Sequence, residues 1–107
     1  MAPTMQFDET ANGHLIEAKV SDALEISLPE ARTAGYHWVM KAAGEPVCQM
    51  LEDKVHPSSG VGGTGRHVWQ FRAIAAGDSE IELEYLRPWE KSAEPARTFV
   101  LKVRVRP

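Results

Sequence analysis

The residues that could carry chemistry in this chain are one cysteine and four histidines, at positions 14, 37, 56 and 67. The histidines are scattered and show no metal-ligand spacing. Cys48 lies within a strand-like segment rather than at a helix N-terminus or in a basic pocket, where thiols become nucleophilic. The sequence pattern does not bring together a nucleophile, a general base and an oxyanion hole. The sequence therefore predicts no catalytic residue, no metal site and no cofactor, and an enzyme that uses Cys48 with a histidine stays an alternative.

A glycine-rich run at residues 60–65 matches G-x-G-x-x-G. A dinucleotide site needs a strand before this motif and a helix after it. Here His56-Pro57-Ser58-Ser59 precedes the run and a period-2 segment follows it. We interpret it as a loop whose backbone, without Cβ atoms, can lie close against a partner, although this run by itself favours simple loop flexibility.

A tryptophan follows the clearest strand-like segment of the chain. Apolar and acidic residues alternate through Ile81–Tyr85, and Pro88, which has no N–H to donate, ends this strand. Trp89 then lies in a loop. Either it folds back as a lid on the core, or it is exposed for binding, since Trp and Arg are enriched where binding energy is concentrated.

Composition limits the class of protein. The chain of 107 residues, 43% hydrophobic and 25% charged, predicts a single domain in a monomer. A net charge of -3 without a basic stripe argues against nucleic-acid binding. No apolar run of transmembrane length and no signal peptide are present. These features predict no membrane partner and either a cytoplasmic protein or a mature periplasmic or secreted form whose signal has been removed.

Period-2 alternation dominates the chain, and no segment of helical length shows a 3.6-residue stripe. Strands are predicted at residues 15–20, 24–28, 36–41, 47–55, 66–75, 79–86 and 99–105. Pro29 is expected to break the second strand. Residues 1–13 are predicted to be a flexible N-terminal arm or a short edge strand, and residues 14–107 a single domain. About seven short strands bounded by turn signals predict an all-β, antiparallel β-sandwich.

Strand parity predicts where the unusual loops lie. If each turn reverses the chain, the loops at 31–35, 56–65 and 87–89 share one pole of the sandwich, and the short turns lie at the other. Longer loops clustered at one end of a rigid scaffold are typical of recognition.

Three segments at this pole resemble a known family: Thr33-Ala34-Gly35-Tyr36-His37-Trp38, Gly60-Val61-Gly62-Gly63 and Arg87-Pro88-Trp89-Glu90. They resemble the three loop motifs of the chagasin-like cysteine peptidase inhibitors, which are N-P-T-T-G followed by an aromatic residue and Trp, then G-x-G-G, then R-P-W/F. Order, approximate spacing, chain length and the all-β pattern agree over essentially the whole domain. Each motif is weak alone, but the three in order are fairly specific.

The resemblance implies an immunoglobulin-like sandwich whose three loops form a wedge. The wedge would fill the active-site cleft of a papain-like cysteine peptidase without supplying a cleavable bond. The implied target-binding residues are Arg32, Thr33, Ala34, Gly35, Gly60, Val61, Gly62, Gly63, Arg87, Pro88 and Trp89. By this analogy Thr33 lies nearest the catalytic Cys and His of the target, and Trp89 packs against an aromatic surface beside the cleft. Arg87 either supports its loop or touches the target, and Trp38 is expected in the core.

The first motif departs from the family, since Ala31-Arg32 stands where the family has Asn-Pro. The loop loses the rigidity of proline, and preorganisation lowers the entropic cost of binding. The departure predicts weaker inhibition or a shifted target range. The alternative function is a non-inhibitory immunoglobulin-like module that binds a protein or saccharide through the same loops.

Overall fold

The computed structural model describes residues 4–31, 35–56, 64–90 and 94–107. Within these residues the chain forms eight strands and one 3-10 turn. The strands are β1 (Met5–Phe7), β2 (Leu15–Lys19), β3 (Ala23–Glu30), β4 (His37–Ala43), β5 (Cys48–His56), β6 (Gly65–Ala73), β7 (Gly77–Leu86) and β8 (Arg97–Arg106), and the turn covers Glu9–Ala11.

The strands form two four-stranded sheets with the orders β1-β3-β6-β5 and β2-β8-β7-β4. The outer strands β1 and β2 pair in parallel with β3 and β8, and the other neighbours are antiparallel. The predicted all-β sandwich is confirmed, with β1 added to the seven expected strands. Part of the N-terminal segment is thus the short edge strand. The division of the chain at residue 13 stays a prediction.

The core lies between the sheets and follows the period-2 pattern. Alternate residues of β3, Leu24, Ile26 and Leu28, are fully buried. They lie beside the inward side chains of β6 in the same sheet and pack with those of β7 and β8 in the other sheet. The fully buried members of these three strands are Trp69, Phe71, Ile81, Leu83, Phe99, Leu101 and Val103. Each fully buried large apolar side chain stabilises the fold by about 1.5–3 kcal/mol relative to leaving it exposed. Trp38 is also buried, as expected.

Pro29 does not break β3, so this prediction is wrong. The strand continues to Glu30, and Pro29 pairs with Arg66 of β6. The pairing with β1 ends at Ile26, so within the described residues β3 has no strand partner on that side at Pro29. A missing N–H is tolerated there. The carbonyl oxygen of Pro29 accepts a hydrogen bond from the Trp38 indole at 2.9 Å.

Strand register confirms that the ends of the three unusual loops share one pole. In one sheet Glu30 pairs with Gly65, next to the His56–Arg66 pair. In the other sheet β4 and β8 begin opposite the end of β7. We call the connections at 31–36, 57–64 and 87–96 the first, second and third loops. The turns at 44–47 and 74–76 lie at the opposite pole.

Candidate functional site

The third loop presents an exposed tryptophan. It opens with a turn in which the Glu90 N–H donates to the Arg87 carbonyl oxygen at 3.0 Å, and the two side chains form an ion pair at 3.1 Å. The Trp89 side chain is 63% exposed, so the interpretation of Trp89 as a lid on the core is wrong. A large apolar side chain at a loop tip is available for binding.

Gly35 of the first loop supports Trp89 of the third. Gly35 has φ +86, a conformation that favours glycine. A Cβ built on Gly35 would lie 2.1 Å from Cη2 of Trp89, so the indole packs directly on the glycine backbone. The first and third loops are therefore in contact, and the glycine is required both for its backbone conformation and for the close approach.

An aromatic column connects the core to the third loop. The ring of Trp38 lies 4.7 Å from the ring of Tyr85, which stacks on Tyr36 at 5.1 Å. The Arg87 guanidinium lies 4.5 Å from the centre of the Tyr36 ring, a cation–π contact. Arg87 thus supports the loop, one of the two roles left open by the sequence, while contact with a target stays a prediction.

Hydrogen bonds close the base of the first loop. The Ala31 N–H donates to the Tyr85 hydroxyl at 2.7 Å, and the Tyr36 N–H donates to the Ala31 carbonyl at 3.3 Å. Sequence analysis missed the role of Tyr85. The sequence placed Tyr85 only as an apolar residue on the inward face of β7. Its hydrogen bond to the first loop crosses between the sheets and depends on the tertiary fold, so the local pattern does not predict it.

Replacing Tyr85 with phenylalanine should lower the free energy of unfolding by about 1 kcal/mol. The ring keeps its stacking contacts, but the Ala31 N–H loses its acceptor. Urea unfolding followed by circular dichroism measures the difference. A variant as stable as the parent would show that the hydroxyl makes no net contribution.

The structure brings together Gly35, Arg87, Pro88 and Trp89 of the predicted binding residues. The other predicted residues lie outside the described residues: Arg32, Thr33, Ala34, Gly60, Val61, Gly62 and Gly63.

Cys48 is fully buried, and burial raises the pKa of its thiol. The thiolate is the reactive form, so both effects oppose nucleophilic chemistry. Among the described residues, no group of three or more His, Cys, Asp or Glu side chains could hold a metal ion. No helix in the described part of the chain is long and apolar enough to cross a membrane.

In the folded chain Cys48 should resist alkylation by iodoacetamide at pH 7 and react rapidly once urea unfolds the protein. Mass spectrometry of the modified fraction over time measures this difference. Rapid alkylation of the folded chain would contradict the burial of Cys48 and restore the enzyme alternative.

A β-sandwich with loops gathered at one pole and an exposed, supported tryptophan is an arrangement typical of recognition. The family model of the chagasin family of peptidase inhibitors (Chagasin family peptidase inhibitor I42) matches residues 17–103. The chain belongs to this family, which is one of inhibitors and not of enzymes.

Individual relatives agree with this assignment. Amoebiasin-2 of Entamoeba histolytica is 29% identical over 89 residues, which cover 80% of this chain and 72% of the relative. The crystal structure of EhICP2, a cysteine protease inhibitor from Entamoeba histolytica, superposes with a TM-score of 0.83 at 22% identity, covering 96% of this chain and 95% of the other. PbICP-C, solved in complex with falcipain-2, gives a TM-score of 0.71 at 20% identity over 96% of this chain and 91% of the other. The immunoglobulin-like fold is thereby confirmed.

Proposed function

We propose that this chain is a reversible, competitive inhibitor of papain-like cysteine peptidases that inserts its three co-polar loops into the active-site cleft. The observation that carries the proposal is Trp89, 63% exposed at the loop pole and held on the backbone of Gly35. Family membership supports the same function.

Preorganisation of the loop pole favours tight binding. Trp89 is fixed by Gly35 on one loop, and Arg87 is fixed by Tyr36 and Glu90. Side chains that are already ordered lose little conformational entropy when a partner binds. A supported indole can therefore act as a hot spot against an aromatic or apolar surface beside the cleft.

The altered first motif is compatible with inhibition. Ala31, at the position of the family asparagine, donates its N–H to Tyr85 and accepts the N–H of Tyr36. These bonds fix the base of the first loop and offset part of the rigidity lost with the family proline. We infer that the replacement at Arg32 adjusts target preference and does not abolish insertion.

The family and one structural neighbour support the class of peptidase that we propose as the target. PbICP-C was solved with falcipain-2. We extend this to papain-like cysteine peptidases as the target class of the present chain.

A titration of papain and cathepsin L with the purified chain tests the proposal. With a low-molecular-weight substrate, the apparent KM should rise with inhibitor concentration and kcat should stay constant, with inhibition at nanomolar to micromolar concentration. Absence of inhibition at high concentration would contradict the proposal and favour a non-inhibitory module that binds another protein or a saccharide.

A further inference from the structure

A buried polar cluster lies directly beneath the first and second loops. Glu30 and His67 are 2% and 4% exposed, although the positions around them in the core are apolar. The third member, Asp53, is half-exposed at the sheet edge. Buried carboxylates and imidazoles are costly unless they are paired, so the contacts of this cluster define its role.

Glu30 connects the two ends of the first loop. Its Oε1 accepts the backbone N–H of Trp38 at 2.7 Å. Glu30 is the last residue of β3 and Trp38 is the second of β4, so one carboxylate bridges the strands that enter and leave this loop.

His67 extends the connection to the second loop. Its Nδ1 lies 3.1 Å from Oε1 of Glu30, and its Nε2 contacts Oδ1 of Asp53. The imidazole also stacks on Trp69, with ring centres 3.9 Å apart and an interplanar angle of 12°. His67 is the third residue of β6, which leaves the second loop, and Asp53 lies on β5, which enters it.

The cluster therefore joins all four strands that flank the two loops. Buried polar or ionic pairs contribute little net stability compared with apolar packing, but breaking one leaves a buried group without its partner. A network with little advantage for stability can still select one arrangement of the groups it joins.

We propose that Glu30 and His67 are positioning residues that set the spacing between the first and second loops and thereby align the binding pole. This inference rests on the proposed function, because the alignment matters for a wedge that enters a cleft. Neither residue is assigned contact with the target.

Glu30→Gln is the decisive variant. Glutamine keeps the size of the side chain, but its neutral amide oxygen is a weaker acceptor for the two groups that share Oε1 of Glu30, the Trp38 N–H and His67 Nδ1. Its inhibition constant for papain should rise about tenfold, since a small misplacement of a binding group is costly. Glu25→Gln is the matched control, because it removes a carboxylate from the same strand, where Glu25 accepts a hydrogen bond from the side chain of the exposed Gln6. The control should inhibit like the parent.

Inhibition is measured with folded protein of known active concentration. The assay temperature stays below the temperature at which circular dichroism shows that unfolding begins. Under these conditions a purely stabilising role would leave the inhibition constant unchanged. If Glu30→Gln does not fold, Asp53→Asn replaces it, since Asp53 is half-exposed. A rise of about threefold is expected for this milder variant, in line with a partly exposed pair.

Nuclear magnetic resonance provides a readout independent of inhibition. In the free chain, Glu30→Gln should shift the backbone amide signals of Trp38 and Gly35, and Glu25→Gln should leave both in place. If the parent fails to inhibit papain, the proposed function is wrong and these signals alone decide the positioning role. Unmoved Gly35 signals, or an unchanged inhibition constant in a folded Glu30→Gln variant of an active parent, would overturn the inference.

Discussion

Replacing Trp89 with alanine is expected to weaken inhibition of papain about thirtyfold, which corresponds to about 2 kcal/mol. The indole is a large apolar group exposed at the loop pole, and its support by Gly35 means that little order has to be gained on binding. The free energy of unfolding should change by less than about 0.5 kcal/mol, because the side chain is mostly in solvent.

The matched control for Trp89→Ala is Ile74→Ala. Ile74 is 47% exposed and lies at the opposite pole, after the end of β6. The Ile74→Ala variant should inhibit papain as strongly as the parent chain. If folded Trp89→Ala also retains the inhibition constant of the parent, Trp89 is not a binding hot spot.

The second large effect is expected for Gly35→Ala. The new Cβ would lie 2.1 Å from Cη2 of Trp89, so the indole has to leave its position. The φ of +86 adds about 1–2 kcal/mol of backbone strain for a residue with a side chain. We expect the inhibition constant to rise about tenfold or more through loss of the preorganised indole.

Gly13→Ala separates the effect of backbone strain from the effect of displacing the Trp89 indole. Gly13 has φ +81, and nothing lies within 4 Å of a Cβ built there. Both variants should lose similar stability in urea unfolding, and only Gly35→Ala should lose inhibition. Equal inhibition by both variants would show that the Gly35 contact does not position Trp89.

Much of the fold could be predicted because burial on a sandwich follows a period of 2. The inward residues of β3, β6, β7 and β8 alternate cleanly with outward ones, and turn residues mark most strand ends. The prediction that Pro29 breaks β3 is wrong because the tolerance of a strand for proline depends on which side of the strand has a neighbour. Strand order is decided by tertiary packing, which a single segment does not encode.

The loops and residues of the candidate site could be predicted from the sequence, but the contacts that hold them in place could not. The loop position of Trp89 followed from Pro88 and the end of β7, whereas its exposure stayed one of two alternatives, and parity placed the loop ends together. The contact between Trp89 and Gly35 joins residues 54 positions apart, and the bond from Glu30 to His67 joins two strands through a buried pair. Period and propensity describe local structure, so such contacts leave no sequence signal of their own.

The most direct test compares binding of this chain to papain with a free cleft and to papain whose cleft is filled by a small, covalent, peptide-like inhibitor. Isothermal titration calorimetry measures both affinities on the same enzyme. A wedge that occupies the cleft should bind the free enzyme with a nanomolar to micromolar Kd and fail to bind the filled enzyme. Equal affinity for the two forms would place the binding surface outside the cleft and contradict competitive insertion of the three loops.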